Sequence, residues 1–289
     1  MNLEKTILNI IESCKYDIGI YVTDMHDNVI KYNENAIFET ASCIKTFILI
    51  EYFKQLYEGK ISKDDYFEYT EMDNIPGSNS GIIKNFDYGL KFRTKDYAIL
   101  MITENDNIAT NTLIDYLGID NINKTIQELG FKNTRLLHKI NLPKYLEFAT
   151  TTPYEYARVF EMLYNGEIVN QEVSDNCLNI LKRQEHRDMI EKYLPPLDMV
   201  LMGDDTSNIN YIASKSGGIV WEDNNVKNIR NDGGIISTKS GDYIISIFIS
   251  NLDDLRYNFD NKGIEIGGQI SKLIYDNFIK KNDEGEIKR

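Results

Sequence analysis

The sequence predicts an α/β protein with one five-stranded antiparallel sheet, flanked by N- and C-terminal helices, and an inserted all-helical lobe. Two short strand patterns occur in residues 18–32, and three more occur in residues 211–250. Between them, residues 43 to about 205 are mostly helical in pattern. Strands from both ends of the chain can share one antiparallel sheet, which leaves the helical block as a second lobe.

The N-terminal region predicts one helix followed by a hairpin. Leucine and isoleucine at helical spacing give residues 2–14 one apolar face, which indicates an amphipathic helix. Strand patterns follow at residues 18–23 and 29–32. The His-Asp-Asn sequence at residues 26–28 is typical of the turn that joins two such strands.

One helix of the central block has a clear start signal. Thr152 can cap its N-terminus, Pro153 suits the first helical position, and Glu155 completes a capping box. The sequence therefore predicts a helix that begins at Pro153.

Strand patterns return towards the C-terminus, at residues 211–214, 234–238 and 242–250. A last helical pattern extends to Phe278. These elements predict a single interleaved domain, with an α/β lobe at 1–36 and 208–280 and a helical lobe at 37–207. The charged residues 281–289 are expected to form a flexible tail.

The composition excludes several classes of protein. The 289 residues are 42% apolar and 27% charged, which is typical of a globular protein. A net charge of −13 argues against binding to a nucleic acid backbone, which requires a basic surface. No apolar run approaches the roughly 18 residues of a membrane span.

The N-terminal residues indicate the cellular compartment, and the cysteines and histidines indicate whether a metal or disulfide is expected. The first residues lack the pattern of a secretory signal, so the sequence as written predicts a cytoplasmic protein, or a secreted one if a signal was removed. The three cysteines and three histidines show no metal-binding or disulfide spacing. We expect a monomer without metal or cofactor that acts on a small molecule.

A first chemical motif lies directly before the apolar run at residues 46–50. Ser42 and Lys45 form an S-x-x-K sequence and share one face if a helix begins near Ser42. A lysine amine next to a serine hydroxyl can activate it as a nucleophile. Alone the motif is weak evidence, because a surface serine and lysine would show the same spacing.

A second motif, Asn105, Asp106 and Asn107, lies between two helical stretches. Small polar residues at such a junction usually cap helices.

A third motif, Lys-Ser-Gly-Gly at residues 215–218, ends a predicted strand. Glycines such as Gly217 let a substrate backbone approach closely, and the Gly218 N–H can face an oxyanion. Lys215 and Ser216 are suited to a substrate carboxylate. An ordinary turn at the end of a strand is the alternative.

In combination, the order and separation of these motifs resemble the S-x-x-K, S-D-N and K-T-G set of serine β-lactamases and penicillin-binding proteins. Flanking segments resemble class A β-lactamases, at residues 20–24, 38–42, 105–114 and 150–153. The resemblance covers roughly residues 5–280. The chain is therefore identified as similar to the class A β-lactamase-like family, including its less characterised serine-hydrolase relatives, and the resemblance implies the family's two-lobed α/β fold.

The resemblance also implies roles for the first two motifs. Ser42 would be the nucleophile that forms an acyl-enzyme, with Lys45 as its base or proton relay. Asn107 would bind the substrate amide and orient Lys45. Asn105 stands where the family has a serine that passes a proton to the leaving nitrogen. Because an amide cannot relay a proton as a hydroxyl does, this departure weakens leaving-group protonation unless water or Lys215 substitutes.

For the third motif, the resemblance implies that Lys215 and Ser216 engage a substrate carboxylate. The backbone N–H groups of Ser42 and Gly218 would form the oxyanion hole. Serine in place of the family's threonine at position 216 keeps the hydroxyl, so this change is mild.

A second departure concerns the base for deacylation. Class A enzymes have a glutamate shortly after a Thr-Arg-Leu segment, but here residues 137–141 contain no carboxylate. Glu147 comes late in the order, and His138 is more readily interpreted as a loop histidine than as a replacement base. Without a general base, deacylation is expected to lose roughly 10²–10⁴-fold in rate.

The leading hypothesis is a β-lactamase-type serine hydrolase that acylates at Ser42 and turns over slowly. A penicillin or peptidoglycan-fragment sensor that stops at the acyl-enzyme, and an inactive scaffold of the same fold, remain alternatives. A glutaminase-type serine amidohydrolase shares the S-x-x-K logic, but its wider motif set is not evident.

Overall fold

The computed structural model describes residues 3–78, 80–141, 147–196, 208–221 and 227–286. The chain forms two compact units. The sheet unit comprises residues 1–38, 152–161 and 187–289, and the helical unit comprises residues 39–151 and 162–186. Residues 152–161 and the stretch from Arg187 thus belong to the sheet unit, whereas the sequence places them in the helical lobe.

The described helices are α1 (Leu3–Glu12), α2 (Lys45–Tyr57), α3 (Thr94–Thr103), α4 (Asn107–Leu117), α5 (Ile119–Glu128), α6 (Pro153–Tyr164), α7 (Gln171–Leu181) and α8 (Lys262–Glu286). The described strands are β1 (Asp17–Thr23), β2 (Val29–Tyr32), β3 (Phe38–Glu39), β4 (Tyr66–Glu68), β5 (Lys91–Arg93), β6 (Arg135–Leu136), β7 (Ala149–Thr151), β8 (Ile209–Ser214), β9 (Gly217–Ile219), β10 (Ile229–Thr238) and β11 (Gly241–Ser250).

The main sheet has the strand order β2-β1-β11-β10-β8, with β9 also paired to β10. The antiparallel sheet is therefore confirmed, but it has six strands rather than the predicted five, because β8 and β9 both pair with β10. Strand β1, from the N-terminal region, pairs along its whole length with β11, from Asp17 opposite Ser250 to Thr23 opposite Ile244. The sheet is thus assembled from both ends of the chain.

Two elements of the sheet unit differ from the sequence prediction. Strand β10 begins at Ile229, so Arg230, Asn231 and Asp232 lie inside it rather than before it. These residues are buried polar side chains, which break the apolar pattern that marks the rest of the strand. Helix α8 continues to Glu286, beyond the point at which the sequence predicts a flexible tail.

Alternate residues of β11 define the two faces of the sheet. Ile245, Ile247 and Ile249 belong to the core that the sheet forms with α1 and α8. On the opposite face, Phe248 packs edge-on against Tyr156 of α6, with the ring centroids 5.4 Å apart. Burial of each isoleucine or phenylalanine side chain contributes roughly 1.5–3 kcal/mol to the free energy of folding. Residues on both faces therefore stabilise the sheet.

Helix α2 is the centre of the helical unit. It contacts α3, α4, α5 and α7, and its residues from Lys45 to Tyr52 are all buried. A helix surrounded in this way needs no polar face, which explains its nearly continuous apolar sequence.

The predicted start of α6 is confirmed at Pro153, where Thr152 Oγ1 accepts a hydrogen bond from the Glu155 N–H at 3.1 Å. None of the helices in the described part of the chain is both long and apolar enough to cross a bilayer.

Candidate active site

Ser42 lies in a short 3₁₀ turn, residues Ala41–Ile44, that leads directly into α2. The Lys45 N–H donates to the Ser42 carbonyl. Side chains three residues apart are eclipsed in a 3₁₀ turn, so Ser42 and Lys45 lie on the same side of it. Ala41 has a φ of +46°, a conformation that is unfavourable for a residue with a Cβ, and such strain is concentrated at functional sites.

The Lys45 side chain is fully buried, with 0% of its surface exposed. Its Nζ donates to the backbone carbonyl of Asn105 at 2.8 Å, to Asn105 Oδ1 at 2.8 Å and to Asn107 Oδ1 at 2.9 Å. Three acceptors match the three protons of an ammonium group, which is costly to bury without such partners. The structure thus brings Lys45, Asn105 and Asn107 together in the helical unit.

The backbone of Asn105 explains how one residue supplies two of these acceptors. Its φ is +53°, in the left-handed region that asparagine tolerates better than most residues. This conformation turns both its carbonyl groups towards Lys45. Asparagine at this position therefore has a structural function, although it cannot relay a proton as serine would.

The Asp106 carboxylate holds the second motif in place, because both of its oxygens accept hydrogen bonds from backbone N–H groups. Its Oδ1 caps α4 by accepting from the Ala109 N–H at 2.9 Å, which confirms the predicted capping role. Its Oδ2 accepts from the N–H groups of Ile82 and Ile83, at 2.7 and 2.9 Å. Gly81, at φ +92°, packs so closely on Asp106 that a Cβ would overlap it.

Two hydroxyl groups reach the outer side of the same motif. Asn107 Nδ2 donates to Ser78 Oγ at 3.0 Å, and Asn105 Nδ2 donates to Ser80 Oγ at 3.4 Å. These bonds orient each amide so that its oxygen faces Lys45. Sequence reasoning missed both serines, because nothing distinguishes them from the residues of an ordinary polar loop.

The third motif lies in the sheet unit, where β8 passes into β9. The Lys215 N–H donates to Gly233 O at 3.1 Å, and Tyr156 Oη donates to Lys215 O at 2.7 Å. The Lys215 side chain is fully buried, and its Nζ donates to the Ser216 carbonyl at 2.7 Å. Because the Lys215 side chain is buried, its positive charge influences nearby groups through the electrostatic potential and not through direct contact at the surface.

Gly217 and Gly218 pair with Asn231 and Arg230 of β10. A Cβ on Gly218 would lie 2.8 Å from an Arg230 guanidinium nitrogen, so a larger residue there would require the Arg230 side chain to shift. The guanidinium also stacks on Tyr257, 4.5 Å from the ring centroid. Burial lowers the pKa of Arg230.

Two largely buried acidic side chains, Asp232 and Glu191, lie in or close to β10. Burial raises the pKa of Asp232 well above its usual range, although the Ile190 N–H donates to its Oδ2 at 3.1 Å. Burial also raises the pKa of Glu191 to about 7, against the opposing effect of Arg187. Glu191 Oε1 is buried and accepts no hydrogen bond from the residues that the structure describes.

Glu191 is expected to make stability depend on pH. Its pKa is higher in the folded than in the unfolded state, so its contribution is complete below about pH 4.5 and is lost as the pH rises through 7. We expect the free energy of unfolding to fall by about 2–3 kcal/mol more in the wild type than in Glu191→Gln between pH 5 and pH 8. Urea unfolding at several pH values measures this difference. The exposed Glu185→Gln is the control and should keep the wild-type slope, whereas equal slopes in wild type and Glu191→Gln would contradict the assignment.

The loop that follows β6 is fastened to α4. Asn111 Nδ2 donates to Ile140 O and Asn111 Oδ1 accepts from the Ile140 N–H, each at 2.9 Å. Ile140 is buried, whereas Glu147 is exposed. Residues 142–146 lie outside the described residues. The buried residue of this loop that α4 holds in place is therefore apolar.

Two other residues close to the predicted motifs are also placed. His138 is half-buried, and its Nδ1 lies 2.6 Å from Lys139 O. Cys43, which follows Ser42, is fully buried.

Comparison with known proteins decides the family. The model of the β-lactamase enzyme family matches residues 2–278. The chain belongs to this family. The expected class A-like relationship and fold are both confirmed.

Two β-lactamases that are similar to this chain share a low sequence identity with it. The β-lactamase VEB-1 of Pseudomonas aeruginosa is 22% identical over 86% of this chain and 82% of its own length. A β-lactamase of Bacteroides uniformis is also 22% identical, over 95% of this chain and 90% of its own length.

Solved structures of the family agree in fold. The β-lactamase of Sphaerobacter thermophilus superposes with a TM-score of 0.80 at 24% identity, over 96% of both chains. A protein named PBP-A gives a TM-score of 0.80 at 25% identity, over 97% of both chains. A variant of PBP-A was solved as an acyl-enzyme complex with penicillin G.

Proposed function

We propose that this protein is a β-lactamase-type serine hydrolase that is acylated at Ser42 and deacylates slowly. The substrate is a β-lactam, or a related amide or ester that carries a carboxylate. The observation that carries the proposal is the amine of Lys45, held on the same side of the turn as Ser42 by three acceptors from Asn105 and Asn107.

In the proposed reaction, Lys45 reacts as the neutral amine, which keeps two of its three hydrogen bonds. Its lone pair takes the proton of Ser42 Oγ while Oγ bonds to the substrate carbonyl carbon. The carbon–nitrogen bond then breaks, and the leaving nitrogen takes a proton. Because Asn105 can donate a hydrogen bond but cannot relay a proton, a water molecule passes to the nitrogen the proton that Lys45 took from Ser42, and Lys45 is neutral again. The product of the step is a serine ester.

The substrate carboxylate is assigned to the third motif. Lys215 contributes a positive potential, and Ser216 offers a hydroxyl. The adjacent Gly217 has no side chain to obstruct the substrate backbone. In a chain with a net charge of −13, cationic residues such as Lys215 and Lys45 are needed to attract an anion.

A second candidate is a penicillin-binding sensor that stops at the ester. It is favoured by the loop of residues 137–141, which has no carboxylate and whose fastened residue, Ile140, is apolar.

Labelling and turnover assays separate the candidates. Wild type and Ser42→Ala are incubated with a fluorescent penicillin and, separately, with the chromogenic substrate nitrocefin. Stoichiometric labelling of the wild type alone, with slow nitrocefin turnover, supports the proposal. Labelling without any measurable turnover supports the sensor. No labelling by penicillins, esters or acyl-D-amino acids would contradict both and favour an inactive scaffold.

A further inference from the structure

A cavity of about 320 Å³ lies in the helical unit beside the second motif. Its polar wall contains Ser78, Ser80 and Lys84, and its apolar wall contains Ile75, Pro76 and Ile108. Ser78 and Ser80 are the residues that accept hydrogen bonds from Asn107 and Asn105. The cavity therefore shares two residues with the immediate surroundings of the Lys45 site.

Lys84 gives this cavity a positive charge. Its side chain is half-buried, and Nζ donates to the Ser78 carbonyl at 3.2 Å. Within the part of the chain that the structure describes, Lys84 forms no ion pair with a carboxylate. An unpaired cation in a partly enclosed cavity is suited to a ligand carboxylate, particularly in a protein whose acidic residues outnumber its basic ones by 13.

We propose that this cavity receives the acyl side group of the substrate, and that Lys84 selects an acyl group carrying its own carboxylate. The inference rests on the proposed function, in which Asn107 binds the substrate amide. Ser78 lies between the two groups, since its hydroxyl contacts the Asn107 amide and its carbonyl contacts Lys84. We therefore expect a carboxylate on the carbon next to the amide carbonyl to lie near Lys84.

The apolar wall completes the specificity. Ile75, Pro76 and Ile108 can bury an aromatic or branched group attached to the same carbon. The preferred acyl group is therefore an arylacetyl or similar group with an α-carboxylate. Such a substrate carries a carboxylate on its acyl group in addition to the one that the proposed function already requires.

Benzylpenicillin and carbenicillin test this inference, because they differ by one carboxylate at that carbon. The second-order rate constant of acylation is measured for both, in wild type, Lys84→Met and Lys84→Arg. We expect the carbenicillin-to-benzylpenicillin ratio to fall roughly fivefold in Lys84→Met, as expected for one partly exposed charge pair, and to be retained in Lys84→Arg. Raising the salt concentration should lower the ratio in the wild type and not in Lys84→Met.

Benzylpenicillin serves as the internal control for folding and chemistry. If both penicillins acylate the protein and the ratio is unchanged in Lys84→Met, the Lys84 subsite is wrong and the proposed function stands. If neither penicillin labels the wild type, the proposed function fails and this inference fails with it.

Discussion

Replacement of Lys45 by methionine is expected to lower the rate of acylation by penicillins roughly 10²–10⁴-fold, the usual contribution of a positioned base. Methionine has a similar length and suits a buried site, but it cannot accept the proton of Ser42. The second-order rate constant of acylation, followed by stopped-flow or by intact mass, measures the effect.

Arginine is the matched control, because Lys45→Arg keeps a positive charge that cannot deprotonate near neutral pH. We expect both variants to be acylated slowly. Loss of the amine also leaves the oxygens of Asn105 and Asn107 without this donor, which costs about 1–3 kcal/mol of stability. Urea unfolding separates that cost from the loss of chemistry. A folded Lys45→Met protein that acylates within tenfold of the wild type would contradict the assigned role.

A carboxylate at position 140 is expected to accelerate deacylation at least tenfold, towards the roughly 10²–10⁴-fold contribution of a general base. Asn107 and Asn111 lie four residues apart on α4, and therefore on one face. Asn107 accepts from Lys45, and Asn111 holds both backbone polar groups of Ile140. Position 140 is thus fixed about one helical turn from the Lys45 contact.

The substitution Ile140→Glu places a base at this position, and Ile140→Gln is its control. Glutamine has the same shape and is equally polar in a buried position, but it cannot take a proton from water. The decay of the acyl-enzyme after removal of free penicillin gives the rate for each variant. Equal decay rates of the acyl-enzyme in the glutamate and glutamine variants, with both proteins folded, would contradict the prediction. They would show that a carboxylate at position 140 does not activate the water that hydrolyses the ester.

The sequence predicts the sheet well because its strands contain short runs of apolar, mainly β-branched residues that are bounded by clear turns. Strand β1 and the hairpin of β10 and β11 both follow this rule. The start of β10 is missed because Arg230, Asn231 and Asp232 are buried polar residues, and hydrophobic periodicity cannot detect these. Their burial depends on partners distant in sequence, such as Ile190 and Tyr257.

The sequence likewise predicts only part of the candidate site. Short motifs and their spacing are enough to predict that Ser42, Lys45 and the second motif belong together. The supporting residues are not predictable in this way, because Ser80 reaches Asn105 across 25 positions and Ile140 reaches Asn111 across 29. Such contacts are set by the packing of the helical unit and leave no local pattern.

Intact-mass analysis over time, after the protein is mixed with excess benzylpenicillin and the free drug is then removed, tests the central claim most directly. We expect one penicilloyl adduct per chain to form on Ser42 and to persist for many minutes, and no adduct to form on Ser42→Ala. Wild-type protein that consumes the drug rapidly and returns at once to its unmodified mass would contradict slow deacylation. An adduct that still forms on Ser42→Ala would contradict the assignment of the nucleophile.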